Sequence, residues 1–134
     1  MRKLYIVKEK RDFDKIINNN KVRKSRYYVI YHQENSFPYD RFGISVGKKI
    51  GNAVYRNKHK RKLRAIIDNY KKSYVNSRDY IIILRGSAKN IPYQELNDDF
   101  LKLMTIIRKD IKNEKKLKKR KKFKKSGKKK IKKF

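Results

Sequence analysis

The chain has 134 residues, with 42 Lys or Arg against 12 Asp or Glu and a formal charge of +30. A chain so charged repels itself unless a polyanion neutralises it, which puts nucleic acid first among candidate partners and an anionic membrane surface second. With no Cys there is no disulfide framework, no thiol nucleophile and no thiolate zinc site. The length suits one domain. Charged residues crowd Lys8 to Lys15, unlike a signal peptide, and the longest apolar run, Tyr80 to Leu84, is far too short to span a membrane. A soluble, cytoplasmic protein is the expectation.

In chain order, Asp12 to Asn18 reads as a short helix, with Phe13, Ile16 and Ile17 at helical spacing and Asn18, Asn19 and Asn20 ending it. Arg26 to His32 reads as a strand, Tyr27, Val29 and Tyr31 pointing one way and Tyr28, Ile30 and His32 the other. Asn35 to Asp40 is a turn. Arg41 to Gly47 alternates again, with Phe42, Ile44 and Val46 on one face and only Gly43 and Ser45 on the other. That bare face demands a close neighbour, whether helix, strand or ligand. Gly51-Asn52 opens a helix to about Lys72, Asn52 being its N-cap. Asp79 to Arg85 is a strand of the buried type, and Tyr93 to Lys109 an amphipathic helix with Leu96, Phe100, Leu103, Met104 and Ile107 on one stripe. Helix, strands, helix, strand, helix makes an α+β sandwich.

Charge is placed unevenly. Residues 115–134 hold 14 Lys or Arg and no acid. Such a stretch buries too little surface to offset the entropy of ordering, so residues 1–113 are expected to form the domain and 114–134 a Lys-rich disordered tail. Between Asp40 and Asp68 there is no acidic residue either, although nine basic ones fall there. On a helical wheel Arg56, Lys60, Arg64, Asn57 and Arg61 lie at about 0°, 40°, 80°, 100° and 140°, while Tyr55, Ile66, His59, Tyr70, Leu63 and Ile67 lie between about 260° and 20°. One face is a core stripe. The other is a basic plate with one amide in it, suited to successive phosphates. The helix start, with Lys48 and Lys49 before it, adds an anion site. Strand tyrosines can stack on unpaired bases, although half-buried packing is the commoner use of a strand Tyr.

Self-sufficient catalysis is poorly supported. His59 falls on the core stripe, His32 at a strand end has no identifiable partner, and the carboxylates form no tight metal constellation. Binding is what these residues serve. A ribosomal or RNA-chaperone protein would carry similar charge. A helix in a DNA major groove is the third possibility, but a strand precedes the basic helix where a helix-turn-helix needs a short helix.

Arg56-Asn57-Lys58-His59-Lys60-Arg61-Lys62-Leu63-Arg64 fits R-N-x-x-K-R-x-x-R, and it follows Phe42 to Gly47 and Gly51-Asn52-Ala53-Val54. Over roughly Lys8 to Lys109 the chain resembles the protein subunits of bacterial ribonuclease P. The resemblance implies an αβββαβα two-layer sandwich of the ribosomal protein S5 domain 2-like kind. Its four-stranded sheet would include a short strand near Lys21 to Lys24 and a left-handed βαβ crossover, against the usual preference. It implies that a large RNA subunit carries the chemistry, removing the 5′ leader of precursor tRNA by metal-assisted hydrolysis, and that the protein alone is not catalytic. The leader would lie in a cleft between the first helix and the sheet, at Phe13, Ile17, Tyr31 and Ser45, with Ile17 offering apolar contact where the family often has an aromatic. Arg56, Asn57, Lys60, Arg61 and Arg64 would face the catalytic RNA, with Lys48 and Lys49 beside them. Mg²⁺ would be held by RNA and substrate phosphates rather than by the protein.

Overall fold

The computed structural model describes residues 5–132, with side chains described as far as Lys119. The chain divides into two units that part between Leu103 and Met104. In the first unit, α1 (Lys10–Asn18) leads to β1 (Val22–Lys24), β2 (Tyr28–Glu34), β3 (Arg41–Val46), α2 (Ala53–Lys71), β4 (Arg78–Leu84) and the start of α3 (Tyr93–Lys132). Short 3-10 turns at Lys48–Ile50 and Gly86–Ala88 follow β3 and β4.

The local signals act as their chemistry requires. Asn20 ends α1 with φ 58°, a left-handed conformation that asparagine tolerates. The Asn52 side chain caps α2 by accepting the Tyr55 N–H at 3.2 Å. The second strand begins two residues later than its alternation suggests. Ser25 N–H donates to the Tyr28 carbonyl at 2.8 Å and Ser25 Oγ accepts from Tyr28 N–H, so Arg26 and Tyr27 form the tight turn between β1 and β2.

The sheet order is β1-β2-β4-β3, with β4 antiparallel to β2 and parallel to β3. The crossover β3-α2-β4 therefore joins two parallel neighbours in a sheet whose other strand pairings are antiparallel among the described strands. Register sets the two faces. Tyr28, Ile30 and His32 lie opposite Leu84, Ile82 and Tyr80, and Tyr80 lies opposite Phe42. These residues are buried, and Tyr28 and Tyr70 both meet Phe100 edge-on at 5.8 and 5.6 Å, so α2 and the start of α3 cover this face.

The opposite face has two rows. Val22, Tyr31, Ile81 and Gly43 form the first, and Lys24, Val29, Ile83 and Ser45 the second. Val7, Ile16 and Ile81 make a small core here, joined by Phe13, Tyr31 and Ile83. The second row remains open: Val29, Ile83 and Ser45 are half-buried and Lys24 is exposed.

The last helix does not stop near Lys109 but runs to Lys132. Each turn of a helix supplies its own hydrogen bonds, and unbranched Lys and Arg are good helix formers.

Candidate nucleic-acid interface

The basic plate is built by the period of α2. His59, Leu63, Ile66, Ile67 and Tyr70 are buried against the domain, which turns Asn57, Arg61 and Arg64 to solvent and leaves Lys60 half-buried at the border. Among the described residues none of the plate's cations is held in an ion pair. Uncompensated charges one turn apart repel, and a bound polyanion removes that cost.

Two positions differ from the wheel. Arg56, placed with the plate, is half-buried, and its Nε is secluded from solvent without a hydrogen-bond partner among the described residues. Its angle lies between those of Leu63 and Ile67, so its stem packs at the domain's rim. Tyr55, placed on the core stripe, is 44% exposed. It sits in the first turn, before the helix settles onto the sheet.

The cleft residues come together on the two-row face. Phe13 packs into the small core beside Tyr31 and Ile83, Ile17 is half-buried on α1, and Ser45 lies in the open row. The bare face of β3 has the close neighbour it required. A Cβ added to Gly43 would meet Phe13 Cζ at 2.6 Å and Ile81 Cδ1 at 2.8 Å.

Beyond Ser45 the row opens into a groove of about 510 Å³, where Ile83 and Ser45 give way to Lys49, Arg85 and Ser87. Lys49 thus lines this groove, while Lys48 is exposed in the same turn before α2. Arg85 and Ser87 are the residues that pattern reading missed. Only their position just after the buried strand could have drawn attention to them.

A second cavity, of about 130 Å³, joins the two surfaces. Phe13, Ile44 and Val7 line it together with Lys60 and Arg64. The cleft aromatic and the plate cations thus meet at the edge of β3. This edge is partly covered by the N-terminal segment, where Val7 N–H donates to the Phe42 carbonyl at 3.1 Å.

Other polar residues are committed to structure. Tyr27 does not share the outward face of Val29 and Tyr31. It is buried and donates its hydroxyl to Glu95 at 2.7 Å, which raises its pKa above the ordinary value. Tyr28 donates to the Leu96 carbonyl at 2.9 Å. His32 has a partner after all: Arg78, itself buried, donates to its Nδ1 at 2.7 Å. His59 is buried, and its Nδ1–H donates to the Tyr55 carbonyl at 2.8 Å. Neither imidazole faces solvent.

Asp40 accepts backbone N–H groups from Asn76 and Arg78, and Asp79 accepts from Arg41 and Asn35. With both buried carboxylates engaged, the described residues contain no group of three or more His, Cys, Asp or Glu able to hold a metal ion. Among them, too, no helix is long and apolar enough to cross a membrane.

A family model described as Ribonuclease P matches residues 1–108. A curated relative from Streptococcus pyogenes serotype M5, named Ribonuclease P protein component, is 41% identical over 119 residues, which span 87% of this chain and 99% of the relative. Among solved structures, the Staphylococcus aureus RNase P protein superposes with a TM-score of 0.72 at 34% identity, covering 77% of this chain and 94% of that one. The Thermotoga maritima RNase P protein gives 0.68 at 29% identity, covering 72% and 92%. Both share the α+β architecture with its four-stranded mixed sheet and three helices.

Proposed function

The chain belongs to the ribonuclease P protein family, whose members are subunits of an endoribonuclease, and from that premise we propose that it holds two RNAs at once. The 5′ leader of precursor tRNA lies along the open row of the sheet, between α1 and the groove at Ser45, Lys49 and Arg85. The catalytic RNA docks on the plate of α2. The observation that carries this reading is the shared cavity at the β3 edge, where Phe13 from the cleft and Lys60 and Arg64 from the plate line one wall. An RNA strand leaving the cleft passes directly onto the cations.

Each surface supplies what its ligand needs. Half-buried Phe13, Tyr31 and Ile83 offer apolar and aromatic contact to unpaired bases, which is tolerant of sequence. Exposed Arg61 and Arg64 offer forked donors to phosphate oxygens, and Asn57 can both donate and accept. The hydrolytic chemistry belongs to the RNA subunit, and Mg²⁺ is bound by RNA and substrate phosphates.

The test is precursor tRNA processing by a cognate catalytic RNA with and without this chain. Addition of the protein should lower the Mg²⁺ and salt needed for leader removal. Unchanged processing at physiological salt would refute the proposal. Affinity should also be greater for a precursor with a 5′ extension than for mature tRNA. Equal affinity would favour a general RNA chaperone or ribosomal protein.

A further inference from the structure

The flank of α2 turned away from the β3 edge carries a cavity of its own. It has a volume of about 260 Å³ and lies between the helix and the segment that leads into α3. Tyr55, Lys58, His59 and Lys62 form one wall, and Asn90 and Pro92 form part of the other. On the wheel Lys58 and Lys62 fall at about 200° and 240°, across the helix from Lys60 at about 40°. Neither the leader cleft nor the plate includes them.

Three features distinguish this cavity from an ordinary charged surface. Lys58 and Lys62 are one turn apart with like charge, and among the described residues neither is held by a carboxylate. Such a pair is mutually repulsive unless an anion lies between its members. Tyr55 presents a 44% exposed ring at the same wall. Gly51 lies close beside the base of that side chain: a Cβ there would meet Tyr55 Cβ at 3.0 Å and Cγ at 3.3 Å. Behind the lysines, the Nε2 of buried His59 has no hydrogen-bond partner among the described residues.

Cation, aromatic face and amide together match one nucleotide better than a peptide or a lipid headgroup. Two ammonium groups bind the phosphodiester, the phenol ring stacks on the base, and Asn90 can donate to or accept from sugar or base edge. Lys58 is also the i−3 neighbour of Arg61, so the basic surface continues from the plate around the helix without an acidic break.

We propose that Tyr55, Lys58 and Lys62 form a second RNA-binding site, which takes a phosphodiester and the unpaired nucleotide beside it on the opposite flank of α2 from the leader. It rests on the RNA-binding reading above. The nucleotide comes from the catalytic RNA or from the precursor, and the experiment separates these sources.

The salt dependence of affinity would be measured for the full chain with the catalytic RNA alone, and for the holoenzyme with precursor tRNA. K58Q/K62Q should lower the log–log salt slope by about one unit for each lysine that neutralises a phosphate, and K58R/K62R should retain it. The complex that shows the change identifies the RNA. A photoreactive benzoylphenylalanine at position 55 should cross-link to that same RNA. Thermal unfolding of K58Q/K62Q should match the parent, because neither lysine is part of the buried core. If R61A lowers the slope while K58Q/K62Q leaves both slopes unchanged, or if position 55 cross-links to neither RNA, the second site is overturned and the plate stands. If R61A and K58Q/K62Q both leave the slopes unchanged, the RNA-binding reading falls with it.

Discussion

Phe13 rests on Gly43 so closely that a methyl group on the glycine would lie 2.6 Å from the ring's Cζ. Helix α1 has no other way to bring an aromatic ring down onto β3, and the contact fixes one wall of the cleft. Gly43→Ala must push aside both Phe13 and Ile81, side chains already in the small core. Overpacking of this kind costs about 1–3 kcal/mol. Urea denaturation should show that loss, and a double-mutant cycle with Phe13→Ala should be clearly non-additive, because truncating the ring removes one of the two clashes. Full additivity would mean that the ring does not sit where the structure places it.

Two residues before Gly43 on β3, Arg41 reaches Asp79 through Nε at 2.9 Å and Nη2 at 2.6 Å, and Asn35 Nδ2 donates to the same carboxylate at 2.8 Å. The pair is asymmetric in exposure, the Arg41 side chain at 18% and Asp79 at 4%. Arg41→Met leaves a buried carboxylate with a single side-chain donor and should destabilise by about 3 kcal/mol. Asp79→Asn leaves a guanidinium that can swing toward water and should cost about 1–2 kcal/mol. Chemical denaturation of the two variants checks the order, and the reverse order would show that Asp79 is the better solvated partner.

Asp40 gives the pH dependence a definite sign. Burial raises its carboxyl pKa above the ordinary carboxylate value, although the N–H groups of Arg78 and Asn76 and the charges of Lys71 and Arg78 oppose the shift. The folded chain therefore holds this proton more tightly than the unfolded chain. The resulting stability is complete below the unfolded pKa and is lost as pH rises through the folded one. Asp40→Asn removes that titration. Between pH 4 and pH 7 the parent should lose melting temperature relative to the variant, and a parallel pair of curves would exclude a raised Asp40 pKa.

On the plate, Arg61 and Arg64 are exposed while Arg56 is half-buried. Arg61→Ala and Arg64→Ala should each reduce the salt slope of RNA affinity by about one unit without changing the unfolding midpoint. Arg56→Ala should lower the midpoint as well, because its aliphatic stem packs at the rim. Fluorescence titrations at several salt concentrations, paired with thermal melts, separate the two behaviours. A midpoint loss for Arg61→Ala would show that it is structural.

Much of the architecture could be read from local pattern. The alternation of β3, the wheel of α2, the Asn52 cap and the asparagines that end α1 all act within a few residues, and each appears in the structure. Strand β1 is expected only through family resemblance, since one half-buried and two exposed residues leave no period to read. The tyrosines near β2 show where local pattern stops. Tyr27 and Tyr31 share a face by alternation and Tyr28 takes the other, yet Glu95 and the Leu96 carbonyl, some 68 residues away, take the hydroxyls of Tyr27 and Tyr28.

The linear order of residues settled the net charge, the lack of thiols, the amphipathic period of α2 and the motif that marks the family, because these depend on composition or on neighbours within one or two turns. Tertiary structure alone decided that Arg78 holds His32, that Phe13 lies over Gly43, that Lys49 joins Ser45 in the groove, and that cleft and plate meet at the edge of β3. Those pairings depend on strand register and on which face a helix covers. Both are set by long-range packing, where partners far apart in the chain compete for the same space.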